Sequence, residues 1–297
     1  MRMIVIYLVL AVGLSGCGAA AGSGSEDGRV RVVTALYPLA YVAQEVGGDA
    51  VTVETLTRPG VEPHDLELTP RDVGELADAD LAVHLAGFQP AVDSALETQG
   101  DVPAYDVSAD ARLMAAPAAD SDEARRDPHF WLDPLRLADV ADGVAREIGK
   151  VAPGSAPEVE ANAARLRSEL EALDRELRDG LDDCVSTDLV TTHAAFGYLA
   201  DRYGLSQVAL SGLSPDHEPS AADLARVADF VETRDVRTVY TEVLVSPAAA
   251  ETIARETGAR TALLDPVEGL DESSAGDDYA SVMRANLATL RAGQPCR

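Results

Sequence analysis

Lysine is almost absent: the 297 residues hold one, Lys150, among 24 basic residues set against 51 acidic ones, for a formal net charge of −27. Neutralising phosphates needs clustered cations, so this balance excludes nucleic acid as the partner. Aromatic residues are only 4% of the chain, with a single tryptophan, Trp131. Three cysteines are too few for a small disulfide-stapled scaffold. There is no His-Glu-x-x-His helix and no Gly-x-Ser-x-Gly elbow, which argues against the commonest zinc protease and serine hydrolase sites. What is present is a 46% hydrophobic share, enough for a packed core, in a length that suggests two domains.

Arg2 precedes an unbroken apolar run from Met3 to Leu14, which is shorter than the ~20 residues of a membrane-spanning helix but suits a signal-peptide core. It runs into Leu14-Ser15-Gly16-Cys17, which resembles a bacterial lipobox, and then into a small-residue stretch, Gly18 to Gly24. The expectation is cleavage before Cys17, lipidation of its sulfur, and an extracytoplasmic chain anchored to the bacterial cell membrane. A plain secretion signal is the alternative. In such an oxidising compartment the remaining pair, Cys184 and Cys296, reads as a structural disulfide.

The rest alternates β-branched runs with amphipathic patterns, the mark of βαβ units and parallel sheets. Strands are expected at Arg29–Ala35, Val51–Leu56 and Asp80–Leu85, then at Leu189–Thr192, Gln207–Leu210, Val236–Thr241 and Arg260–Leu264. Thr69-Pro70 and Asp133-Pro134 each pair an N-cap with a proline at the first helical position. Between the halves, Ala163, Leu166, Leu170, Leu173, Leu177 and Leu181 recur at spacings of three and four. This predicts one helix of up to about 25 residues, a stiff spine rather than an ordinary surface helix. The fold class is therefore α/β: two lobes, each a mostly parallel sheet flanked by helices, joined by a long rigid helix. The divisions are a signal peptide (1–16), a lipidated tether (17–28), a first lobe (29–156), the linking helix (157–183) and a second lobe (184–297).

Three histidines occupy similar places: His64 beyond the second strand, His129 before a helix, and His193 directly after a strand. Asp265 ends a strand in the same manner. In open α/β sheets ligands collect at the carboxyl ends of the strands. Three imidazoles and a carboxylate also match the donor set and tetrahedral preference of Zn²⁺. A single histidine at a strand end is more often structural, so position alone does not assign the site.

The surrounding motifs add to this. Pro63-His64-Asp65 with Thr69-Pro70, Asp127-Pro128-His129 with Trp131-Leu132-Asp133-Pro134, Thr192-His193-Ala194-Ala195-Phe196-Gly197, and Leu264-Asp265-Pro266 resemble signatures of the metal-binding receptors of bacterial ABC importers, cluster A-I. The chain is similar to the zinc branch in particular, since the manganese branch usually has glutamate where His193 stands. The resemblance implies a monomeric carrier that captures Zn²⁺ between two lobes. It would deliver the ion to a membrane permease driven by a cytoplasmic ATPase, with no bond made or broken. It implies His64, His129, His193 and Asp265 as ligands. Unlike many zinc receptors, the acidic Ala115–Asp127 loop contains no histidine before His129, so accessory capture there is not expected. His84 reads as a packed or edge residue and His217 as an exposed loop residue. Glu242 is a candidate to orient a ligand imidazole through its second ring nitrogen. A zinc hydrolase and a surface adhesin are the competing readings, and no residue pattern specifies either.

Overall fold

Eight strands form two separate parallel sheets in the computed structural model, which describes residues 28–116, 126–215 and 218–296. The signal segment, Cys17, His217 and most of the acidic loop after Ala115 lie outside the described residues. The first sheet comprises β1 (Val30–Thr34), β2 (Val51–Thr55), β3 (Leu81–His84) and β4 (Ala104–Asp106), in the order β2-β1-β3-β4. The second comprises β5 (Asp188–Thr191), β6 (Ser206–Ala209), β7 (Thr238–Thr241) and β8 (Arg260–Leu263), in the order β6-β5-β7-β8. The two orders are the same, so each sheet reverses its winding at its first and third strands. That reversal opens a crevice at the strand carboxyl ends.

Helices flank both sheets, some with a side-chain cap and others without. In the first half these are α1 (Tyr37–Gly47), α2 (Pro70–Ala77), α3 (Pro90–Gln99) and the single turn α4 (Ser108–Ala111). Thr69 caps α2, as Thr69-Pro70 leads one to expect, and Asp72 completes a reciprocal capping box with it. Asp133 caps α5 (Pro134–Val151) by accepting the Leu135 N–H at 2.9 Å. The sequence reading omitted α3 and β4. The strand is only three half-exposed residues at a sheet edge, too short to show an alternating pattern.

The spine is α6 (Ala156–Leu181), 26 residues long and about 39 Å at 1.5 Å per residue. Val159, Ala163, Leu166, Leu170, Leu173 and Leu177 form its buried stripe. It packs on α1 and α5 in the first half and on α10 (Tyr279–Gly293) in the second. Between them lie α7 (Gly197–Tyr203), α8 (Ala221–Thr233) and α9 (Ala248–Thr257). One apolar core runs from Val32 and Leu39 through Trp131, Leu166 and Leu173 into Phe196, Leu264 and Tyr279. A smaller core of Val190, Val227, Val239 and Ile253 lies beneath α8 and α9. Cys184 and Cys296, 112 positions apart, are joined as a disulfide and tie the end of the chain to the start of the second sheet region. Among the described residues no helix is long and apolar enough to cross a membrane.

Candidate metal centre

The sheet reversals place the histidines. His193 follows β5, and Glu242 follows β7, the strand paired to β5 across the second reversal. His64 sits in the loop after β2, where its ring meets Phe88 edge-on with centroids 4.7 Å apart. Gln89, buried beside that phenylalanine, donates to the Pro63 carbonyl and to Thr57 Oγ1, both at 3.0 Å, and so anchors the loop just before His64. His129 opens the tight turn Phe130–Leu132 ahead of α5.

Ligand atoms of His64, His129, His193 and Glu268 all lie within 4.8 Å of one another. Oε1 of Glu268 is 3.0 Å from Nε2 of His129, 3.4 Å from Nε2 of His64 and 3.5 Å from Nε2 of His193. The Nε2 atoms of His64 and His129 are 3.3 Å apart. Zinc bonds of ~2.0–2.1 Å give a tetrahedron with edges of about 3.3–3.4 Å, and these separations bracket that value. Both ring nitrogens of His193 are buried outside ordinary hydrogen-bond geometry, and a cation is a suitable partner for Nε2.

At His129 and His193 the opposite ring nitrogen faces a carboxylate. Nδ1 of His129 lies 2.8 Å from Asp127 Oδ1, which also accepts the His129 backbone N–H at 3.0 Å. Nδ1 of His193 contacts Glu242 Oε2, while Glu242 Oε1 accepts the His193 backbone N–H at 2.9 Å and the Thr192 hydroxyl. A proton kept on Nδ1 leaves the Nε2 lone pair free for a metal. This is the orienting contact anticipated for Glu242. The equivalent role of Asp127 was missed, although its spacing two residues before His129 permits it. Gly197 makes room for it: a Cβ there would sit 2.8 Å from Asp127 Oδ2, so a larger residue would push that carboxylate aside.

Electrostatics follow the same geometry. Burial pulls the His129 and His193 imidazoles down, but Asp127 and Glu268 outweigh it at His129, and Glu242 and Glu268 outweigh it at His193. Both therefore titrate above their ordinary range, His193 well above. Burial dominates at His64 and holds it below that range. Burial pushes Glu268 up, yet the three imidazoles hold it well below the usual carboxylate range.

The fourth member differs from the residue expected. Asp265 is not in the cluster. Its Oδ1 instead accepts the Val267 N–H at 2.8 Å, turning the chain so that Glu268, three residues later, enters the site. The visible signal was a second acid in the same strand-end segment, Leu264-Asp265-Pro266-Val267-Glu268. Which acid points inward depends on the turn, which residue spacing does not reveal. His84 ends β3 with Nδ1 3.4 Å from Asp93 Oδ1 and stays outside the cluster. Trp131 is fully buried core.

Comparison with known proteins identifies the family. The sequence model of a family described as zinc-uptake complex component A, periplasmic, matches residues 32–293. The high-affinity zinc uptake system protein ZnuA of Bacillus subtilis is 32% identical over 295 residues, covering 94% of this chain and 92% of that protein. The zinc-binding lipoprotein AdcA of Streptococcus pneumoniae (strain TIGR4) is 34% identical over 287 residues, covering 92% of this chain; the match spans only 57% of AdcA. The crystal structure of the Zn(II)-bound ZnuA-like domain of Streptococcus pneumoniae AdcA superposes with a TM-score of 0.77 at 35% identity, over 90% of this chain and 99% of that one.

Proposed function

Starting from the chain's membership in the family of periplasmic zinc-uptake components, a family of transport proteins rather than enzymes, we propose that it captures Zn²⁺ between its two sheets and delivers it to the permease of an ABC importer with its ATPase. The observation that carries this reading is the convergence of three imidazole Nε2 atoms on one Glu268 oxygen, at the edge lengths of a zinc tetrahedron. His64, His129, His193 and Glu268 are the proposed ligands. Four protein donors close the coordination sphere and leave no open position for the water a hydrolase must activate. Three nitrogens and one oxygen also suit zinc better than manganese, which favours oxygen-rich octahedral sites. The chain works as a monomer of two lobes, 29–156 and 184–297, linked by 157–183 and anchored outside the cytoplasm through lipid on Cys17.

Metal analysis of protein purified without chelator, followed by competitive titration of Zn²⁺ against Mn²⁺, tests this. One tightly held zinc per chain and no turnover on ester or peptide substrates are expected. His193→Ala should weaken zinc binding by on the order of 100-fold or more, since even groups that only orient a ligand contribute ~10–100-fold. His217→Ala should leave binding unchanged. Equal behaviour of the two variants would overturn the ligand assignment.

A further inference from the structure

Glu268 and His129 belong to opposite halves of the chain, yet both are tied to one face of α10. Tyr279 and Asn286 are seven residues apart, two helical turns, and so share that face. Tyr279 donates its hydroxyl to the Trp131 carbonyl at 2.5 Å, holding the turn that begins at His129. Asn286 grips the backbone of Asp265 from both sides. Its Oδ1 accepts the Asp265 N–H at 2.9 Å, and its Nδ2 donates to the Asp265 carbonyl at 2.7 Å. The third side is the Trp131 indole, whose Nε1–H donates to the Pro266 carbonyl at 2.8 Å. Trp131, Tyr279 and Asn286 are at most 3% exposed, so water does not compete for these bonds.

The held turn is itself strained. Val267, the residue before Glu268, is buried at φ 57°, a left-handed conformation that a β-branched residue rarely adopts. Such a conformation persists only where its surroundings over-determine it. Here Asn286 holds Asp265, Trp131 holds Pro266, and Asp265 Oδ1 holds the Val267 N–H.

We infer that Trp131 and Asn286, with Tyr279 as their common support, are positioning residues that set the Glu268 carboxylate against His129 at the separation a small tetrahedral ion requires, and thereby discriminate zinc from manganese. The inference rests on the proposed ligand set. Neither residue is a ligand: Asn286 acts through the turn that aims Glu268, and Trp131 acts through the same turn by its N–H while its ring meets the His129 imidazole edge-on, with centroids 5.4 Å apart. A turn released from the frame would let the carboxylate retreat, which a larger ion with longer bonds tolerates and zinc does not.

The test is a double-mutant cycle on the full chain, with zinc and manganese affinities measured by competition and the folding of each metal-free variant checked by thermal melting. Trp131→Phe keeps an aromatic ring and removes the N–H; Asn286→Ala removes the backbone clamp and serves if the phenylalanine variant does not fold. Each should lower zinc affinity about 10–100-fold and narrow the zinc-over-manganese ratio by about tenfold. In a Glu268→Ala background the same changes should alter zinc affinity by less than about threefold, because there is no carboxylate left to aim. An equal loss in both backgrounds would show general loosening and overturn the inference. So would unchanged affinity in the single variants while Glu268→Ala binds poorly. If Glu268→Ala binds zinc as well as the parent, the ligand set falls, and this inference with it.

Discussion

Asp265 and Glu268 are both buried carboxylates of one turn, and they carry opposite electrostatic burdens. Glu268 is compensated by three imidazoles. Asp265 has one oxygen bonded to the Val267 N–H, and burial pushes its carboxyl up to about 6. A carboxyl raised in the folded state favours folding while protonated, and this contribution is lost as pH rises from its ordinary value near 3.8 through about 6. At neutral pH the buried charge is therefore a liability of up to about 3 kcal/mol. Asp265→Asn keeps an oxygen to accept the Val267 N–H and removes the charge. Its metal-free form should melt higher than the parent at pH 7.5, with the gap shrinking as pH falls and gone below about 4. Zinc affinity should stay close to the parent's. An affinity loss as large as that of Glu268→Ala would show that Asp265 is a ligand after all.

At the scale of elements, α6 fixes the distance between the sheets and takes no part in the chemistry. Its stripe is apolar except for Asp174, which accepts Arg202 Nε at 2.6 Å; the same nitrogen lies 3.2 Å from Asp133, the cap of α5. That arginine on α7 thus joins the spine, the helix after His129 and the segment after His193. Leu170, at the middle of the stripe, is 1% exposed. Leu170→Ala should destabilise the protein by about 2–5 kcal/mol through lost burial and a residual cavity. Because Leu170 belongs to the spine's apolar stripe and not to the cluster, zinc affinity of the folded variant should be unchanged. Chemical denaturation read beside a zinc titration separates the two effects; a parallel fall in affinity would mean that the spine, and not the turns, sets the site.

For the whole molecule, metal capture is coupled to protons. Without a cation, His129 and His193 hold protons above the ordinary histidine range against the depressed Glu268 carboxylate. Zinc must displace those protons, so affinity falls as pH falls. The decline should be under way above ~6.5, the reference histidine value, because both imidazoles are shifted upward. Binding near neutral pH should release protons, measurable by calorimetry in two buffers of different ionisation heat. Equal affinity at pH 7.5 and 5.5, with no buffer dependence, would contradict the coupling. His129 and His193 stabilise the metal-free fold below the unfolded histidine value and lose that contribution as pH rises through their folded values. Zinc therefore protects the fold most at the alkaline end.

The sequence by itself determined the alternation of strands and helices, the long leucine-striped spine, the Cys184–Cys296 pairing and the three histidines, because each is written in local periodicity, caps or the count of rare residues. Only the tertiary structure decided the fourth member of the metal cluster. The choice between Asp265 and Glu268 turns on the left-handed backbone at Val267, which is held by an indole from the first half of the chain and an amide from the last helix. The edge strand β4 was hidden for a related reason: its three residues pair with β3 through backbone atoms, and backbone pairing leaves little trace in side-chain pattern. Local chemistry is legible along a chain; the direction in which a buried carboxylate points depends on contacts between residues far apart in sequence, 135 positions for Trp131 and Pro266 and 21 for Asn286 and Asp265.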